Sequence, residues 1–85
     1  MNITVVPIDM LIIIDGVPLV FDFPSDAGIH AIQWSGDSGH IEYSNGAPNK
    51  SLSGEADYLT HVLPFVDLWE QEKVRLEKEP PYQPT

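Results

Sequence analysis

Few residues of this chain have the types and spacing that chemistry requires. Gly36-Asp37-Ser38-Gly39 sets a serine between an acid and a glycine in a turn, a setting in which a serine can act as a nucleophile. Acyl transfer also demands a base histidine held by a buried carboxylate, an oxyanion hole and a scaffold that positions all three. A chain of 85 residues has no room for two packed barrels to do this, so the four residues read as a hairpin turn. His30, His40 and His61 are the only imidazoles. His30 and His40 can approach each other across a hairpin, with Asp37 or Glu42 completing a metal site. A zinc ion, however, wants three or four fixed ligands, and no tight ligand spacing occurs here. Asp15-Gly16 lacks the hydroxyl residue that would separate aspartate from glycine in an acid-catalytic motif, and it too reads as a turn. The expectation is a protein with no catalytic residue, no cofactor and no metal, and so not an enzyme.

The aromatic side chains carry a different chemistry, that of contact. Trp34, Tyr43, Tyr58, Phe65 and Trp69 exceed what a small core readily encloses, and aromatic residues are the commonest anchors of protein interfaces. Trp34, Tyr43, Trp69 and Tyr82 are the partner-binding candidates. The same positions also suit a core, in which Trp34 on a strand and Trp69 on a helix are expected to meet.

These residues must be held by strands in the first half of the chain and a helix in the second. Ile3 to Val6 is a short β-prone piece stopped by Pro7, and Met10 to Ile14 is rich in β-branched residues. Asp15-Gly16 then signals a two-residue hairpin turn, because a type I′ turn needs positive φ at both centres. Val17 to Phe23 returns, with Pro18 required at an edge or strand start. Ile29 to Trp34 and His40 to Tyr43 alternate apolar and polar positions around the Ser35 to Gly39 turn cluster, and Asn45-Gly46 and Pro48 stop the second strand. After Asn49 the period changes. Ser53 is a plausible N-cap, and Tyr58, Leu59, Val62, Phe65, Val66 and Trp69 follow a helical repeat. Pro64 inside that repeat predicts a kink or break just before it. The fold class is therefore α+β: an antiparallel meander of four to five strands covered by a C-terminal helix. Residues 1–79 form one domain and 80–85 a proline-rich tail, either a disordered end or an extended arm.

Composition narrows the function. Thirteen acidic residues face four basic ones, for a net charge of −9, and cysteine is absent. Every lysine and arginine lies at position 50 or later, while six acids precede it. Such a chain is repelled by phosphate backbones, which argues against direct nucleic-acid binding. The apolar run from Met10 to Phe23 is interrupted by Asp15 and Asp22, so no membrane insertion is expected, and the N-terminus, without a basic flank or small-residue cleavage pattern, gives no expectation of an export signal.

The strings IQW, GHIEY, NG, PN and PFVDLWEQEKVRLE, over roughly residues 29–79, resemble small proteins encoded beside the tail genes of tailed bacteriophages. The resemblance implies a non-enzymatic tail protein, built into the tail tip, baseplate or fibre region or assisting fibre assembly. The expected partners are tail fibre, tail tip or baseplate proteins, with a homo-oligomer left open. The expected location is the virion tail, and the host cytoplasm during assembly. The leading expectation is a structural adaptor. The alternatives are a tail fibre assembly chaperone and an acidic anti-defence inhibitor that mimics nucleic acid.

Overall fold

The structure, a computed structural model, describes residues 1–78. Six strands form one antiparallel sheet: β1 (Asn2–Val6), β2 (Leu11–Ile14), β3 (Val17–Val20), β4 (Ile29–Ser35), β5 (Ser38–Tyr43) and β6 (Lys50–Ser53). One face is covered by a helical segment made of α1 (Gly54–Asp57), a π-turn over Tyr58–Val62 and α2 (Leu63–Lys78). The α+β class stands as expected, with one strand more.

The turns follow from local chemistry. Asp15 and Gly16 both have positive φ, at 49° and 83°, and Ile14 pairs with Val17 across them, which is the two-residue hairpin their types require. The second hairpin also closes in two residues, Gly36-Asp37, with Gly36 at φ 68° and Ser35 paired with Ser38. Gly39 is needed for a different reason. It lies opposite Trp34, and a Cβ there would stand 2.0 Å from the Gln33 carbonyl oxygen.

The strand order is β3-β2-β1-β4-β5-β6, not the sequential order of a simple meander. Two three-stranded meanders join where β4 pairs with β1, Ile3 opposite Trp34 and Val5 opposite Ile32. Pairing β4 with β1 leaves β3 at an edge, where Pro18 lacks an N–H that no neighbour needs. The returning strand also ends at Val20, short of the expected Phe23. Phe21 and Phe23 instead turn into the core, their rings 5.3 Å apart, with Phe23 edge-on to Phe65 at 5.9 Å.

Register builds the core as rows across the sheet. Ile14, Ile3 and Trp34 form one row, and Ile12, Val5, Ile32 and Ile41 form the next. Val62, Val66 and Trp69 close over them. Ile3, Val5, Ile12, Ile32, Leu52 and Val62 are nearly solvent-free, and each such burial is worth about 1.5–3 kcal/mol.

Ser53 occupies the N-cap position, though its hydroxyl does not cap; its N–H instead donates to Asp57 Oδ2 at 2.8 Å. The expected break near Pro64 takes the form of the π-turn. Leu63 N–H bonds back to the Tyr58 carbonyl, five residues earlier, and Pro64 becomes the second residue of α2. A proline removes a helix hydrogen bond and crowds the carbonyl four residues before it, and one wider turn accommodates both.

Candidate interaction surface

Chemistry-bearing side chains are placed first by the second hairpin. Ser38, His40 and Glu42 alternate on β5 and so share a face, with His40 Nε2 2.9 Å from Glu42 Oε2. Among the described residues Ser38 makes no side-chain hydrogen bond to His40. Thr4 Oγ1 donates to Gln33 Oε1 at 2.8 Å beside them, and these two residues line a shallow concavity of about 510 Å³ with Ser38 and His40. His30 and His40 do not meet. His40 is opposite Gln33, three residues from His30 along β4, roughly 10 Å at the rise of a strand. His61 lies in the π-turn on the other side of the sheet. Among the described residues no three His, Cys, Asp or Glu side chains converge on a point that could hold a metal.

The aromatic candidates fall differently. Trp34 is 5% exposed; its indole N–H donates to the Gly36 carbonyl at 3.0 Å and its ring lies against Tyr58 at 5.5 Å. Trp69 is 8% exposed and donates to the Val17 carbonyl at 3.1 Å, with Lys73 Nζ 5.2 Å from its ring centroid. Each indole is thus in the core with its polar atom satisfied, and offers only an edge to a partner. Nor do the two tryptophans pair. Trp69 sits against β3, three strand spacings from Trp34 and so about 14 Å across the sheet. Tyr43 is half-buried at the end of β5 and packs on the core margin. Tyr82 and the tail 80–85 lie outside the described residues.

The residues that do face solvent were not singled out by their type. Opposite the helix, no helix among the described residues covers the sheet, and its outward positions on β1 to β3 are mostly apolar. Val6, Leu11 and Val20 form one row and Thr4, Ile13 and Pro18 the next. Val20 is 67% exposed. At the end of this strip the 3₁₀ turn Pro7–Asp9 lifts Ile8 to 82% exposure, above a groove it shares with Asp26, Ala27 and His30. Met10 follows with φ 52° and ψ 38°, a left-handed conformation that costs an ordinary residue about 1–2 kcal/mol. Glycine or asparagine would meet that backbone demand more cheaply; methionine adds a flexible apolar side chain, 45% exposed. One signal was available in the sequence. Leu11-Ile12-Ile13-Ile14 is apolar without alternation, whereas a strand with one wet face should alternate.

No protein family, curated protein or solved structure matches this chain. The surface must therefore be read from its own chemistry. The other half of the open face, on β4 to β6, presents Gln33, His40, Glu42 and Ser51, so the bare side divides into an apolar half and a polar half. At the end of the apolar half stand Asp9, in the 3₁₀ turn, and Asp26, in the groove beside Ile8, both exposed, and residues 1–49 contain no lysine or arginine. Among the described residues no helix is long and apolar enough to cross a membrane.

Proposed function

We propose that this protein is a non-enzymatic structural adaptor of a bacteriophage tail, joining tail tip, baseplate or fibre proteins through protein–protein contacts. The observation that carries the contact role is the apolar half of the open sheet face, set in a part of the chain that holds acids and no cations. Contiguous exposed apolar surface on a small domain marks a binding site, and the acidic surround would steer a basic partner toward it. The assignment to a phage tail is supported by the resemblance over residues 29–79, from IQW to the Trp69 helix.

The test is a mass-spectrometric inventory of purified phage particles and of their assembly intermediates. An adaptor is present in both, in a fixed ratio to one tail protein. Presence in intermediates but not in finished particles would assign the chain to fibre assembly as a transient chaperone. Absence from both would overturn the tail assignment.

A further inference from the structure

We infer that the apolar half of the open face is a docking surface for a cationic amphipathic helix of a partner protein. This deepens the adaptor reading at the same surface and rests on it for the kind of partner, a protein. Three observations specify the occupant. First, the strip spans β3, β2 and β1, two strand spacings or about 10 Å, which matches the width of one α-helix with its side chains. Second, the other face of these strands is already covered by a helix, α2, through Val66 and Trp69. A helix on the bare side would complete a three-layer sandwich, a normal way for a sheet to lose its wet apolar face. Third, the charge is one-sided. Asp9 stands in the turn at the end of the strip and Asp26 lines the groove beside Ile8, while β1, β2 and β3 carry no lysine or arginine and Lys73, over Trp69, belongs to the helix on the covered face.

Charge also argues against a second copy of this chain. Two copies meeting here would bring together two chains of net charge −9 through strands that carry no lysine or arginine. A partner helix with leucine or isoleucine along one stripe and lysine or arginine beside it meets both demands. Its apolar stripe would cover Leu11, Ile13 and Val20, and its cations would lie beside Asp9 and Asp26. Ile8 and Met10 would clasp the helix at one end, where methionine can adapt its shape to the side chains it meets.

The experiment uses the full chain, labelled with ¹⁵N, and a synthetic peptide of roughly 18 leucine and lysine residues at helical spacing, about 27 Å long. A lysine and serine peptide of equal charge serves as the control. The leucine-containing peptide is expected to shift the amides of Ile8, Met10, Leu11, Ile13 and Val20 saturably, and the control peptide to leave them nearly unmoved. Val20→Lys and Ile8→Lys, both at exposed positions, should each weaken binding by roughly tenfold or more, as loss of an interface anchor does. Ser51→Lys makes the same charge change on the polar half and should weaken it much less. Equal weakening by all three variants, equal shifts with both peptides, or shifts centred on β4 to β6 would overturn the inference. So would sedimentation showing that the free chain dimerises through this face. These outcomes are independent of the particle inventory. A chain found in phage tails whose strip ignores the peptide keeps the adaptor reading and loses this surface; the reverse pair of results keeps the surface and loses the tail.

Discussion

On β1 to β3 the two faces of the sheet are built largely from the same kinds of residue and end in opposite conditions. On the helix side, Ile12 and Ile14 are buried in one core with Val62, Val66 and Trp69, as are Ile3, Val5, Ile32, Trp34 and Ile41 of the same two rows. On the bare side, Leu11 and Ile13 come from the same four-residue strand and are covered only by their neighbours. Apolar character alone therefore does not decide what a residue does. The helix-side residues hold the fold, because removing them opens a cavity. Their neighbours on the bare side are half-buried or exposed and contribute less to the fold, which fits a surface that is covered further in a complex.

That contrast can be broken most forcefully at Trp69. Trp69→Ala removes a buried ring and leaves the Val17 carbonyl without its indole donor, and should cost about 3–5 kcal/mol, a large part of the stability of a domain this small. Urea unfolding checks it, and a midpoint close to that of the parent chain would show that the helix side does not carry the fold. Gly39→Ala comes next. The added methyl meets the Gln33 carbonyl and should cost about 1–3 kcal/mol by forcing β4 and β5 apart. Gly16→Val, at φ 83° in an open turn, should cost at least about 1 kcal/mol through backbone strain alone.

The bare side should answer differently. Val20→Thr keeps β-branching at a 67% exposed site, so its unfolding midpoint should move by no more than about 0.5 kcal/mol in equivalent stability. A loss as large as that at a core position would mean that the bare side is part of the fold after all.

The smallest effect belongs to the surface of α2. Arg75 Nε and Nη2 donate to the two Glu72 carboxylate oxygens at 2.7 and 2.8 Å, and these hydrogen bonds hold the Glu72 carboxyl below the ordinary carboxylate range. A depressed carboxylate contributes its stability above its unfolded value and loses it as pH falls through the folded value. Unfolding followed from pH 7 downward should therefore show a slightly shallower acid loss in Arg75→Gln than in the parent chain. An identical slope would show that this pair is silent.

Much of the fold could be read along the chain wherever the cause was local. Asp15-Gly16 closes a hairpin because two adjacent residues accept positive φ, and Pro64 disturbs a helix because its own ring and missing N–H do so. The sixth strand could not be found this way. Lys50-Ser51-Leu52-Ser53 has one apolar residue and no β-rich run, and it becomes a strand because β5 offers it a free edge. The candidate site divided along the same line. Trp34 and Trp69 were conspicuous by type, but an anchor and a core residue have the same side chain, and only burial separates them.

By itself the sequence determined the antiparallel hairpins, the helix and its disturbance at Pro64, the absence of cations from residues 1–49 and the broken alternation of Leu11 to Ile14. Each of these depends on neighbours within a few positions or on a count. Only the tertiary structure decided that β4 pairs with β1, which sends β3 to an edge and closes Trp34 into a row with Ile3. That choice turns one face of β1, β2 and β3 toward the helix and leaves the other bare. Which side chains end on which face is set by pairing across the sheet, between residues as much as 33 positions apart, as Asn2 and Ser35 are. No local pattern encodes a pairing of that range, because it is stabilised by rows of side chains that exist only once the strands are side by side.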